Sequence, residues 1–195
     1  MCAAKVMNRV IPMRNRITGR VTGLIALAVL AAVLSACSGV SGPGKLFESL
    51  PATHLPDGTT YDAYNSVPPT SGPHWAAPAP WGIYGEPIPN ERQVHNLEHS
   101  GVIIQYNTDD LELIRKLREF ARSQSNFPCY LLVAPYPDMS STIALTAWPG
   151  KPGTMTSDST YLPGVLDTME AYDEERLQAF VDAYRGQGPE RIPCV

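Results

Sequence analysis

The sequence predicts a small single-domain α+β sandwich, in which a short β-sheet with elements in the order β-α-β-β-α follows a Pro/Gly-rich irregular N-terminal wrap. Two observations predict it. The second half of the chain alternates short apolar runs, typical of buried strands, with two segments of helical periodicity. Residues 51–92 instead carry proline or glycine at nearly every turn and have no helical period. We therefore expect one core and an ordered, irregular segment around it.

The spacing of apolar residues and the turn residues place the elements of the second half. The predicted elements are a strand over 102–106, a helix over 109–123, strands over 130–134 and 142–147, and a helix over 173–185. Leu111, Ile114 and Leu117 recur at helical spacing behind an Asn-Thr-Asp cap, which indicates the first helix. Gly186 ends the second helix, because glycine accepts the left-handed conformation that closes many helices.

The first 36 residues have the layout of a bacterial lipoprotein signal peptide. Five basic residues and no acidic one are followed by an apolar stretch over 21–34. A membrane-spanning helix needs about 20 apolar residues, and this stretch is shorter and ends in Leu34-Ser35-Ala36-Cys37. We expect lipidation at Cys37, with acyl chains such as palmitate. The predicted boundaries are a signal peptide over 1–36, a flexible tether over 37–50 and a globular domain over 51–195.

These boundaries predict a protein anchored by lipid to the extracytoplasmic face of a bacterial cell membrane. Cleavage before Cys37 removes five of the fifteen basic side chains and none of the nineteen acidic ones, so the formal charge moves from −4 to −9. An acidic surface disfavours nucleic acid, whose phosphates attract lysine and arginine. The lipid bilayer is the expected partner. The sequence does not identify a protein partner in the cell envelope and does not exclude one.

The number and positions of the cysteines are consistent with an oxidising compartment. Cys2 lies in the predicted signal peptide and Cys37 is the predicted lipidation site, so the domain retains Cys129 and Cys194. Two remaining cysteines in an oxidising space can pair with each other. We predict this disulfide rather than a redox or metal-binding pair, because neither cysteine lies in a C-x-x-C motif or beside a basic residue.

All four histidines lie within a short part of the chain: His54, His74, His95 and His99. His95 and His99 are four residues apart, a spacing that brings both imidazoles to one face if the segment is helical. His74 follows a rigid Pro-Pro-Thr-Ser-Gly-Pro sequence, which would hold its ring in place at little entropic cost. We expect a site formed by three or four histidines, against the alternative that the rings are buried and hydrogen-bonded for structural reasons.

Several motifs together are similar to those of the bacterial domain of unknown function 3105 family. The motifs are Pro-Pro-Thr-Ser-Gly-Pro-His over 68–74, Gly-Ile-Tyr over 82–84, Val-His-Asn-Leu-Glu-His over 94–99 and Leu-Thr-Ala-Trp over 145–148. The resemblance covers about residues 54 to 190 and implies an exported or membrane-anchored domain without an established reaction. Ser100 and Pro149 stand where the family pattern has glycine. The serine could alter the turn that leads out of the expected site.

Three functions are consistent with these patterns. We favour a cell-surface lipoprotein that binds copper or zinc through His74, His95 and His99, with His54 as fourth ligand and Glu98 orienting a ligand or a water molecule. One alternative is a zinc hydrolase or peptidase, because residues 95–99 spell H-x-x-E-H and Glu98 would then be the catalytic base. The other is a structural or protein-interaction module without metal. Enzymatic activity is the less favoured hypothesis.

Overall fold

The computed structural model describes residues 40–150 and 162–194, which form a mixed six-stranded sheet, a two-stranded sheet and three helices. The strands are β1 (Lys45–Phe47), β2 (His54–Leu55), β3 (His74–Trp75), β4 (Gly82–Ile83), β5 (Val102–Tyr106), β6 (Leu131–Pro135), β7 (Ile143–Ala147) and β8 (Gly164–Met169). The helices are α1 (Asn90–Glu98), α2 (Leu111–Ser123) and α3 (Glu174–Tyr184). The predicted α+β class is confirmed.

The large sheet has the strand order β1-β8-β7-β5-β6-β4. The pairs on the β1 side of β5 are antiparallel, whereas β5 with β6 and β6 with β4 are parallel. A parallel pair needs a crossover connection, and α2 connects β5 to β6 in the sequence. The separate sheet consists of β2 and β3, which run parallel to each other.

Both faces of the central strand β5 are buried. Successive side chains of a strand point to opposite faces, so Val102 and Ile103 belong to different core clusters. The cluster of Val102 includes Leu117 of α2 and Phe180 of α3. The cluster of Ile103 includes Leu97 of α1. Helices α2 and α3 therefore cover one face of the sheet, and α1 lies on the other, together with parts of the irregular wrap.

The predicted strands and helices of the second half are found with bounds shifted by up to two residues. Helix α2 begins after Asp110, whose side chain accepts hydrogen bonds from the backbone N–H groups of Glu112 and Leu113. Six elements were not predicted. The short strands β1 to β4 lie in the segments expected to be a tether or an irregular wrap, and helix α1 begins inside that wrap. Strand β8 lies between the last predicted strand and the last predicted helix.

Part of the segment that the sequence analysis assigned to a flexible tether is ordered against the domain. Strand β1 pairs with β8 from Lys45 to Phe47, Val40 is buried in the core, and the hydroxyl of Tyr184 donates to the carbonyl of Pro43. The predicted signal peptide and Cys37 lie outside the described residues. Among the residues described, none of the helices combines the length and apolar character needed to cross a bilayer.

Candidate metal centre

The small sheet places two of the histidines side by side. His54 of β2 and His74 of β3 are directly paired in register, and the backbone N–H of His74 donates to the carbonyl of Thr53. Paired residues of neighbouring strands point to the same face of a sheet. Their ring centres lie 4.9 Å apart in an edge-to-face arrangement. His74 is fully buried, whereas His54 is exposed, so this pair runs from the interior to the surface.

The end of helix α1 places the other two histidines. His95 lies in the last turn and His99 caps the helix, and their ring centres are 4.2 Å apart. Their Nε2 atoms are separated by 2.9 Å. The helix stops here because Ser100 has a positive φ of 73° and the N–H of Gly101 donates back to the carbonyl of Asn96. This is the Schellman arrangement that closes many helices.

Backbone carbonyls orient two of the rings. Nδ1 of His74 lies 2.8 Å from the carbonyl oxygen of Gly72, and Nδ1 of His95 lies 2.5 Å from that of Trp75. A carbonyl oxygen can only accept, so each Nδ1 carries the proton and donates it. In the neutral ring, Nε2 then keeps its lone pair. Histidines that bind metals in proteins are commonly oriented in this way by a backbone carbonyl.

The spacing of the His54, His74 and His95 rings fits a single metal ion. The ring centre of His95 lies 5.4 Å from that of His54 and 4.9 Å from that of His74. With a metal–nitrogen distance of about 2.0–2.1 Å, imidazoles around a tetrahedral ion have ring centres about 5 Å apart. Potential ligand atoms of His54, His74 and His95 all lie within 4.8 Å of one another, as do those of His95, Glu98 and His99.

Two carboxylates lie against the histidines. Oε2 of Glu98 is 2.9 Å from Nε2 of His74, and both side chains are buried. Oε2 of Glu190 is 3.3 Å from Nε2 of His99, where the side chain of Glu190 is about half exposed (48%) and that of His99 is 17% exposed. The cluster therefore combines four imidazoles with two carboxylates, a set of nitrogen and oxygen donors that suits Zn(II) and Cu(II).

The pKa shifts of His95, His99 and Glu98 are in the direction that favours metal binding. Burial lowers the pKa of His95, against the opposing effect of its hydrogen bond to Trp75. Burial and the charge of His95 lower the pKa of His99 to about 4. Burial acts to raise the pKa of Glu98, yet its contact with His74 and the neighbouring His95 and His54 hold that pKa below its usual value. Neutral imidazoles and an ionised carboxylate are the forms that bind cations.

All of the histidines proposed from the sequence come together, and so does Glu98. The sequence analysis missed Glu190, whose carboxylate reaches His99 from the C-terminal segment. Burial and the neighbouring Glu98 charge raise the pKa of this carboxyl. Nothing in the sequence pattern indicates its role, because the connection joins residues that are far apart in the chain. The predicted disulfide between Cys129 and Cys194 is present.

The fold and the cluster define an α+β domain that brings four histidines and two glutamates together at the end of a helix. A family model described as a protein of unknown function, DUF3105, matches residues 57–195. The chain belongs to this family, as its motifs indicated. No curated protein and no solved structure matches the chain.

Proposed function

We propose that this protein binds a transition-metal ion, copper or zinc, through His54, His74, His95 and His99. The observation that carries the proposal is the convergence of the rings, with the Nδ1 atoms of His74 and His95 held by backbone carbonyls. Structural histidines need only a hydrogen-bond partner. All four histidines of the sequence belong to this cluster. A shared role as metal ligands accounts for all of them together.

The donor set supports a divalent ion. Four imidazoles are neutral ligands, and the carboxylate of Glu98 contributes negative charge inside the cluster. For sites of nitrogen and oxygen donors, the usual affinity order places Cu(II) above Zn(II). Because His54 is exposed while His74 is fully buried, an ion could enter from the side of His54. We therefore expect an exchangeable ion rather than one enclosed during folding.

The location that we propose is the extracytoplasmic face of the cell membrane, with the chain anchored through lipid on Cys37. The Leu-Ser-Ala-Cys sequence after an apolar stretch and the disulfide of the folded domain both support it. The metal centre would then face an oxidising compartment. In an oxidising compartment copper is available as Cu(II), and zinc as Zn(II).

Metal analysis and calorimetry test the proposal. The full chain, purified in detergent without a polyhistidine tag, should bind about one equivalent of Cu(II) or Zn(II). We expect His95→Ala and His99→Ala each to weaken binding at least about tenfold, which corresponds to roughly 1.4 kcal/mol. Asp57→Ala is the control, because Asp57 is exposed and lies three residues from His54. Equal binding by wild type and the His95/His99 double variant would contradict the proposal.

The hydrolase alternative is distinguished by Glu98→Gln. In a metal hydrolase, this variant would retain the ion and lose turnover, because the carboxylate activates the attacking water. In a binding protein, Glu98→Gln should bind metal nearly normally and there should be no turnover to lose. Peptide and ester hydrolysis by the zinc-loaded wild type, abolished in Glu98→Gln, would favour the enzyme.

A further inference from the structure

The segment over 186–194, here called the C-terminal strap, crosses the end of helix α1. It leaves α3 at Gly186, whose N–H donates to the carbonyl of Ser100. Further along, the N–H of Glu190 donates to the carbonyl of Glu98. The last carbonyls of a helix have no partner within the helix. The strap supplies such a partner at the place where the metal-binding residues lie.

Ser100 joins the strap to the helix through its side chain. Its hydroxyl donates to the carbonyl of Glu190 at 2.9 Å and accepts from the N–H of Gly188 at 3.1 Å. A left-handed conformation is unfavourable for a non-glycine residue, so glycine would be the easier choice at φ 73°. The two hydrogen bonds give the serine a function that glycine lacks: it determines where Glu190 lies.

The strap packs closely against the end of helix α1, and a disulfide links its C-terminal end to the domain. A Cβ atom added to Gly188 would clash with the backbone nitrogen of Ser100, so there is no space for a side chain at this position of the strap. Beyond Glu190, the disulfide joins Cys194 to Cys129. Glu190 therefore lies in a segment that is bound on both sides of it.

From this geometry we infer that Glu190 is an additional metal ligand, presented by the C-terminal strap; the inference rests on the metal-binding function proposed above. Its Oε2 lies 3.3 Å from Nε2 of His99. With four histidines, Glu190 would make the ion five-coordinate, and neighbouring ligand atoms at about 2.0–2.1 Å from such an ion lie roughly 2.9–3.6 Å apart. The carboxylate thus already lies at a ligand's distance from a proposed ligand.

Two arguments favour an ion over a simple hydrogen bond. Nε2 of His99 faces both Nε2 of His95 at 2.9 Å and Oε2 of Glu190 at 3.3 Å, and the single proton of a neutral ring can serve both only as a weaker three-centre bond. A cation at this point can bind all three atoms. In addition, the carboxylate of Glu190 places a negative charge beside His99, and a negative charge next to a proposed ligand favours a cation at this point.

The test compares Glu190→Gln with wild type in the full chain. We expect Zn(II) affinity, measured by competition with a chelator, to fall at least about tenfold, and the visible absorption of the Co(II)-loaded protein to change because one ligand is altered. Glu86→Gln is the matched control, since Glu86 is exposed and also loses one charge. Gly188→Ala, which forces the strap off Ser100, should weaken binding in the same direction.

Each outcome bears on the inference. Wild type that binds metal, with Glu190→Gln within threefold of it, would overturn the inference and leave the proposed function intact. An affinity loss with an unchanged Co(II) spectrum would contradict direct ligation. Wild-type affinity in folded Gly188→Ala would show that the strap does not present the ligand. Absence of metal binding by wild type would refute the proposed function itself.

Discussion

Replacing Asn96 by alanine should separate the structural part of the Val-His-Asn-Leu-Glu-His motif from its proposed metal-binding part. Asn96 is fully buried between the two histidines. Its Oδ1 accepts from the N–H of Ala79 at 2.9 Å, and its Nδ2 donates to the carbonyl of the same residue at 2.8 Å. These two bonds tie helix α1 to the irregular wrap, which carries the other two histidines.

The size of the effect follows from the groups left behind. Asn96→Ala leaves the N–H and the carbonyl of buried Ala79 without these partners, and a buried polar group without a hydrogen bond costs about 1–3 kcal/mol. For the two groups together this is about 2–6 kcal/mol, and water that enters the site reduces it. We therefore expect the free energy of unfolding of the metal-free full chain to fall by about 2–4 kcal/mol. Urea unfolding followed by tryptophan fluorescence measures it. Asn65→Ala, at an exposed position with one hydrogen bond, is the control.

His99→Ala should have the opposite profile. The side chain of His99 is 17% exposed and contacts His95 and Glu190, both in the proposed metal centre. Its removal should change the metal-free unfolding free energy by less than about 1 kcal/mol while lowering metal affinity at least about tenfold. If His99→Ala destabilised the metal-free protein more than Asn96→Ala did, the histidines would be structural residues and our reasoning would be wrong.

Three further predictions concern the anchor, the disulfide and acid. Cys37→Ser should abolish lipidation and move the protein out of the detergent phase in a partitioning assay; unchanged partitioning would rule out the anchor. Replacing both Cys129 and Cys194 by serine should lower the unfolding free energy by about 4 kcal/mol, since the bridge closes a long loop of the chain; a loss under 1 kcal/mol in urea would contradict this. Acidification from about pH 6.5 to 4 should destabilise the metal-free protein, because the pKa of His99 is lowered to about 4 and the unfolded chain binds that proton first; the urea midpoint should fall less steeply with pH in His99→Ala, and equal slopes would refute the assignment.

The elements that could be predicted from the sequence are those whose burial is apolar. Strand β5 buries five residues in succession, and α2 buries Leu117, Phe120 and Ala121 at helical spacing. Their patterns are visible because most buried positions are occupied by apolar residues, with Gln105 as the polar exception in β5. An apolar pattern of this length can be recognised in the sequence itself.

Helix α1 and strand β8 could not be predicted because they bury polar residues. In α1, Glu91 accepts from the N–H of Tyr61 and Gln93 donates to the carbonyl of Ile88, so buried positions are occupied by residues that normally lie on the surface. In β8, Asp167 is buried and paired with Arg176 of α3. The partners of such residues are supplied by distant segments, which a local pattern does not reveal.

The candidate site shows the same division. The four histidines could be proposed together because they lie close in the sequence and two of them have helical spacing. Glu190 could not, because its place beside His99 depends on the hydroxyl of Ser100, ninety residues earlier. Sequence analysis noted Ser100 as a departure from the family pattern at the turn. In the structure, Ser100 has a strained left-handed backbone conformation, and its hydroxyl forms hydrogen bonds with the strap.

The environment of Glu98 bears on the choice between binding and hydrolysis. In the H-x-x-E-H hydrolases the motif should lie inside a helix, so that the glutamate can face a water bound to the ion. Here the helix ends at Glu98 itself, and the carboxylate is buried with its Oε2 2.9 Å from Nε2 of His74. A carboxylate so close to a proposed ligand can balance the charge of the ion. Because this carboxylate contacts buried His74 and the helix ends at Glu98, we prefer the metal-binding proposal to the hydrolase alternative.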